Sequence, residues 1–345
     1  MPDFDEILKR YPIRIANLTV ETFGDGLIND TFLVTTDNEK YILQKVNTEV
    51  FQSPEIIASN LQAAAEYINK KTPEYTFISP LQTTDNQPFV LQKKEYWRLT
   101  NFLENSFSIN IVSTADEAFE AAKAFATLTK NLHGISSEKF ESTIAAFHNL
   151  SLRFQQFEEA VVFSKAKRKE KAKDLIDNYL SQRHLVETYE HLLSNKEMPV
   201  RIMHHDTKIN NALFDRITKK AVTVCDLDTL MPGRVISDIG DMFRTYLSPV
   251  SEDSIDFEKI TIRKEIYEAI KTGYLSELNS VLTETEKQHL NYGGEFMIYM
   301  QGIRFLADYL NGDVYYPVKH SEHNFDRAMN QWVLLKAFQE FVARK

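Results

Sequence analysis

The chain has 345 residues, 43% of them hydrophobic and 26% charged, with a formal net charge of −9. That length suits two lobes with sizeable cores better than one typical domain. The acidic balance argues against nucleic acid as the main partner, because binding a phosphate backbone needs a basic surface. A single cysteine, Cys225, excludes an intrachain disulfide and a cysteine metal site.

In chain order, Met1–Arg10 is acidic and amphipathic, with no basic region leading into an apolar stretch, so no signal peptide is expected. No apolar stretch approaches the roughly 20 residues of a membrane helix, so a cytoplasmic chain with no membrane partner is expected. Leu18–Phe23, Thr31–Thr35 and Tyr41–Val46 are short apolar or β-branched runs, separated by Gly24-Asp25-Gly26 and Asp37-Asn38, and read as strands. A helix follows at about Pro54–Lys70, with Ser53 as N-cap and Pro54 at its first position. Its apolar residues Ile56, Leu61, Ala64, Ala65 and Ile68 recur at near-helical spacing and are expected to face a sheet. Strands near Pro88–Leu91 and Tyr96–Phe102 complete a small antiparallel sheet with one main helix.

Beyond Thr114 the pattern turns helical. Thr114 and Glu117 have capping-box spacing, and Gly134 stands where a helix C-cap would. Residues from about Leu152 to Glu197 are helical by period, and the basic run Lys165–Lys173 reads as a solvated face. Two strands, Ala212–Asp215 and Ala221–Leu227, interrupt the helices, which resume near Ile260. The expected architecture is α+β: a strand-rich N-terminal lobe over 1–103, a hinge near 101–105 and a larger, mostly helical lobe over 104–345.

The chemistry concentrates in His204-His205-Asp206-Thr207-Lys208-Ile209-Asn210-Asn211. Asp206 is followed two residues later by Lys208 and five later by Asn211, and Asp226 ends the next apolar strand. Phosphoryl transfer needs such parts: a carboxylate to position the acceptor hydroxyl, with Asn and Asp metal ligands converging on one set of phosphates. Asp206 is thus the candidate base, Asn211 and Asp226 the candidate Mg²⁺ ligands, and Lys208 a candidate catalytic cation. Asp228 falls on the same face of a continued strand and is a candidate second metal ligand or sugar contact. The competing interpretation, an Asn- and Asp-rich turn of purely structural role, does not explain Asp226 at this spacing. Neighbouring His204 and His205 point opposite ways on an extended segment and cannot easily bind one ion; His204 reads as a structural hydrogen-bonding residue. His320 and His323 lack partners for a metal site.

These residues resemble the catalytic motif of the aminoglycoside phosphotransferase and choline kinase group, which shares the protein kinase fold. Within that group the chain looks most similar to N-acetylhexosamine 1-kinases. The similarity runs through Gly24–Phe32, Tyr41–Asn47, Tyr96-Trp97-Arg98 with Phe102, Asp226–Gly233, Asp238–Arg244, Gly302–Leu306 and Asp308–Leu310. The resemblance implies ATP and Mg²⁺ as cofactors and a small-molecule sugar as substrate. It implies that Gly24, Gly26 and Phe102 belong to the nucleotide site, and that Arg304, with Tyr316, Asn29 and Asp228, contacts the sugar. For Arg304 the alternative is an ion pair with Asp308, four residues on. Asn29 stands where a third loop glycine would complete the kinase pattern. On the third strand either Gln44 or Lys45 faces the phosphates, since the two point to opposite faces. Aligning Ile42-Leu43 with the kinase strand favours Gln44.

The function expected is transfer of the terminal phosphate of ATP to the anomeric hydroxyl of an N-acetylhexosamine (GlcNAc or GalNAc). The alternatives are the same fold acting on an aminoglycoside, choline, homoserine or another sugar, and a non-catalytic nucleotide-binding module. A protein-directed kinase is not expected, because Met231-Pro232-Gly233 follows Asp226 too closely for an activation loop.

Overall fold

The computed structural model describes residues 3–15, 17–24 and 28–345. Gly26 of the glycine-bearing loop lies outside the described residues. Five strands, β1 (Thr19–Thr22), β2 (Asp30–Thr35), β3 (Lys40–Val46), β4 (Val90–Gln92) and β5 (Glu95–Asn101), form an antiparallel sheet in the order β1-β2-β3-β5-β4. Alternation drives it. Tyr41 and Leu43 point to one face and, with Val34, Val90, Trp97 and Leu99, bury themselves under the N-terminal helix Phe4–Leu8.

The helix Pro54–Lys71 begins with its proline at the first turn, as expected, but Ser53 makes no side-chain cap bond. Its buried residues Ile57, Leu61, Ala64 and Ile68 belong to the core of the helical lobe, with Val46 the buried sheet residue that joins them. The expectation that this helix lies simply on the sheet is therefore corrected: it is wedged between sheet and helical lobe. Asn60 on it donates Nδ2 to the backbone carbonyls of Glu141 (2.8 Å) and Leu230 (2.9 Å).

The second lobe is built on the helices Ala115–Asn131, Val235–Tyr246, Lys264–Leu278, Leu290–Asn311 and His323–Ala343. Thr114 and Glu117 close the capping box. That helix stops at Asn131 with Leu132 as cap, so Gly134 is not its C-cap; it lies two residues beyond at φ +91°. The segment expected to be continuous from Leu152 divides into Leu150–Phe163, Ala166–Lys171, Lys173–Leu180 and His184–Ser194. The basic run is not wholly solvated, since Arg168 bonds the Tyr309 carbonyl and pairs with Asp313 at 2.7 Å.

Short strands frame the motif. β6 (Ser106–Phe107), β8 (Ala212–Asp215) and β9 (Ala221–Val224) make one sheet, and β7 (Arg201–Met203) pairs with β10 (Met231–Gly233). β10 begins at Met231, so soon after Asp226 that no room is left for an activation loop between them. No helix among the described residues is long and apolar enough to cross a membrane.

The helix Val235–Tyr246 crosses Leu290–Asn311 at contact distance. A Cβ on Gly240 would lie 2.1 Å from the Gly293 carbonyl oxygen. Gly240→Ala gains roughly 1 kcal/mol of helix propensity but forces backbones apart at about 3 kcal/mol. The variant should lose about 2 kcal/mol in urea denaturation; an unchanged midpoint would show that the helices can part freely.

Candidate active site

The loop after β7 is held by two carboxylates of the helix Val235–Tyr246. Asp238, fully buried, accepts the backbone N–H groups of His204 (3.0 Å) and His205 (2.8 Å). Asp241 accepts the N–H of Thr207 at 2.9 Å and is itself held by Arg244 at 3.0 Å. Tyr246 donates its hydroxyl to the Thr207 carbonyl at 2.6 Å. Burial pushes the Asp238 carboxyl up to about 6, against the downward pull of His204 and the two N–H donors. Every backbone group so fixed restricts the loop that carries Asp206.

His204 has a structural place: its Nε2 lies 2.9 Å from the Cys225 carbonyl. His205 is buried, not turned to solvent, with Nδ1 3.1 Å from the carbonyls of Met203 and Thr229. Burial lowers its pKa to about 4, so the ring is neutral. Its φ of +66° is uncommon for a side-chain-bearing residue and turns the chain just ahead of Asp206.

Asp206 is part-exposed, with Lys208 Nζ 3.2 Å from Oδ1. The neighbouring Asp206 charge raises the Lys208 pKa. Asn211 is buried and donates Nδ2 to the Asp206 carbonyl at 2.9 Å, which leaves its amide oxygen as the atom available to a cation. The Cys225 N–H donates to the Asn211 carbonyl at 2.8 Å and brings the end of β9 alongside the loop. Asp226 then takes φ +57°, which breaks the strand and starts the short turn Leu227–Thr229. The residue as a whole is solvent-accessible, while its carboxylate sits among protein atoms. Desolvation there, with Asp228 and Asp206 beside it, pushes its pKa up to about 7 despite Arg98 and Lys208.

The expectation for Asp228 is corrected. β9 ends at Val224, so Asp228 does not share a strand face with Asp226. It is buried, Arg98 pairs with Oδ1, and Asn29 donates Nδ2 to Oδ2 at 2.7 Å. Each oxygen has a partner from the sheet lobe, which makes it a lobe-bridging carboxylate. Asn29 likewise serves this bridge, its Oδ1 accepting the Asn47 N–H at 2.9 Å. Gln44, in register with Arg98, accepts two of its N–H groups at 3.0 and 2.8 Å and so faces the cleft. Lys45 points the other way, onto Asp30 (2.6 Å) and Glu95 (3.7 Å), and so does not share the face that Gln44 presents.

Gly24 adopts φ +77°, and the neighbouring Phe23 meets Phe102 edge to face at 6.0 Å, bringing this loop over the end of β5. Arg304 is not paired with Asp308. The Asp308 carboxylate accepts the N–H groups of Val314, Tyr315 and Tyr316 and the Asn324 amide. Among the described residues Arg304 has no carboxylate partner; it donates to Gln301 and lies 5.5 Å from the Tyr316 ring centroid. Tyr316 also accepts the Gln301 amide at 3.1 Å. His148, whose ring lies 5.2 Å from that of His205, has its pKa held well below the usual imidazole value by burial, with Arg304, Arg244 and Arg153 adding positive charge.

Oxygen donors suit a hard divalent cation. The Asp226 carboxylate and the Asn211 amide oxygen supply two, the number a Mg²⁺ site takes when phosphates complete its shell. No group of three or more His, Cys, Asp or Glu among the described residues is arranged to hold a metal by itself; His323 instead meets Asp253 at 3.2 Å.

Sequence reasoning assigned no role to Arg98, Asp238 or Asp241, and gave Asp308 only as an alternative partner for Arg304. Each is a charged residue inside an apolar run, and a buried charge must have a partner. That signal says a partner exists without saying which.

The profile of the phosphotransferase enzyme family matches residues 19–256. An aminoglycoside phosphotransferase from Alicyclobacillus acidocaldarius subsp. acidocaldarius DSM 446 superposes with a TM-score of 0.67 at 11% identity, over 100% of this chain and 97% of that one. The spectinomycin phosphotransferase APH(9)-Ia, solved with ADP and spectinomycin, gives 0.60 at 13% identity over 99% of both chains. Choline kinase from Cryptosporidium parvum Iowa II gives 0.58 at 14% identity over 97% of this chain and 94% of that one. At such identities the likeness shows a shared fold: a small antiparallel-sheet lobe and a helical lobe of the protein kinase type.

The polar scaffold can be tested without reference to any acceptor. Asp238→Asn should cost about 1–3 kcal/mol in denaturant unfolding, because its amide group cannot accept both N–H donors. Unaltered stability would remove Asp238 from its anchoring role.

Proposed function

This chain belongs to the phosphotransferase enzyme family, and we propose that it transfers the terminal phosphate of ATP to the anomeric hydroxyl of an N-acetylhexosamine. Residues 1–103 would bind the nucleotide, with the hinge at 101–105, and residues 104–345 would carry the catalytic loop and the acceptor pocket.

Asp206 is placed to accept the proton of the acceptor hydroxyl and to hold its oxygen in line with the terminal phosphorus. The new O–P bond forms as the bond to the bridging oxygen of ADP breaks, and the proton passes to Asp206. An anomeric hydroxyl is more acidic than an ordinary alcohol, so a carboxylate suffices as acceptor. Lys208, 3.2 Å from Asp206, offsets charge at the transferring group. Asn211 and Asp226 would hold Mg²⁺, which when bound neutralises charge on the phosphate oxygens. Asn211 also bonds the Asp206 carbonyl, so base and ligand keep a fixed spacing.

The observation that carries the acceptor reading is Arg304. A guanidinium without a carboxylate partner among the described residues, packed over Tyr315 and Tyr316, suits an N-acetyl carbonyl and ring hydroxyls. It opposes the cationic groups of an aminoglycoside or choline.

A panel of GlcNAc, GalNAc, glucose, galactose, choline and kanamycin with Mg-ATP tests this. N-acetylhexosamines should be turned over best; brisk turnover of choline or kanamycin with none of either N-acetylhexosamine would sink the acceptor claim. Asp206→Asn should lower kcat by about 10²–10⁴ while nucleotide affinity holds; near-normal turnover removes Asp206 as base. Arg304→Ala should raise the sugar KM by about 10–100-fold, the worth of a charged hydrogen bond, and leave the ATP KM alone. Equal effects on both would contradict a sugar contact.

A further inference from the structure

Third-strand geometry leaves the cleft face of the sheet with a neutral residue, Gln44, because Lys45 is engaged with Asp30 and Glu95 on the other face. Directly across the β3–β5 ladder from Gln44 stands Arg98. Its side chain is 8% exposed and pairs with that of Asp228, 2% exposed, across the boundary between the lobes. Two cations act on the neighbouring Asp226: Arg98 from the sheet and Lys208 from the catalytic loop.

We propose that Arg98 is a positioning residue for phosphoryl transfer: from the fifth strand, through Asp228, it fixes the metal-binding turn against the nucleotide-binding sheet. This rests on the phosphotransferase reading of the site but not on the identity of the acceptor.

Three features carry it. A guanidinium has five N–H donors. Arg98 directs Nε and Nη2 to the Gln44 amide oxygen and Nη1 to Asp228, so its head is fixed between the third strand and the turn. Next, the turn is gripped from the sheet lobe at three points. Arg98 from β5 and Asn29 from the loop before β2 hold the two oxygens of Asp228, and Asn60 from the helix Pro54–Lys71 bonds the Leu230 carbonyl. Asp226 lies only two residues before Asp228, at the start of a single short helical turn. The position of Asp226 is therefore tied to that of Asp228. Finally, a buried ion pair is seldom more stabilising than apolar residues of the same size. Burying this one beside a second carboxylate makes better sense as geometry than as stability.

The test removes both charges together, Arg98→Met with Asp228→Asn, so that no lone charge stays buried. Calorimetry of ADP binding with and without Mg²⁺ is the direct readout. The affinity for MgADP should fall about 10–100-fold, the usual cost of losing an outer-shell partner of a metal site. Metal-free ADP should bind within about threefold of the parent protein, an expectation set by the sheet contacts that remain. A folded double variant that binds MgADP as the parent does would overturn the proposal and leave Arg98–Asp228 a plain structural pair. Should the double variant not fold, Asn29→Ala carries the same test, since it frees one Asp228 oxygen and keeps the ion pair. A selective loss of MgADP affinity supports the proposal, and parental affinity overturns it. Failure of the acceptor panel would leave this nucleotide readout intact, so the two readings fall separately.

Discussion

Both oxygens of Asp238 accept backbone N–H groups of the loop that presents Asp206, from a position fully inside the helical lobe. A buried carboxylate without such donors would be too costly to keep, and a loop without such an acceptor would be free to move. The two requirements satisfy each other. Asp241 repeats the device three residues later on Thr207, with Arg244 countering its charge. Behind both, the close contact of Gly240 with Gly293 of the helix Leu290–Asn311 lets the helix Val235–Tyr246 sit deep enough for its carboxylates to reach the loop.

From this base, charge is arranged by depth. Asp228 is buried and paired with Arg98; the Asp226 carboxyl is pushed up by desolvation, with Asp228 and Asp206 beside it. Asp206 is part-exposed beside Lys208. A divalent cation bound with phosphates would favour the ionised form of Asp226. Geometry and electrostatics thus favour the same occupant.

The acceptor side is built by a different carboxylate. Asp308 gathers three consecutive backbone N–H groups and so folds the stretch bearing Tyr315 and Tyr316 back onto Arg304. Arg304 is then left to stack on aromatic rings and bond Gln301. The pair that helical spacing suggested, Arg304 with Asp308, is broken because backbone donors compete better for the buried carboxylate.

What the sequence determined by itself was local in its physics. Strand alternation, the Thr114–Glu117 capping box, and the spacing of Asp206, Lys208, Asn211 and Asp226 all depend on neighbours a few residues away, and these were legible. Alternation also established that Gln44 and Lys45 face opposite sides, though not which side holds the cleft. The choices that span the chain were legible only in the tertiary structure. A left-handed turn at Asp226 ended β9 early and sent Asp228 to Arg98, 130 residues away in sequence. Buried charges advertise that they need partners, but partner choice depends on which groups the packed lobes bring within about 3 Å, and that distance is set by the fold as a whole.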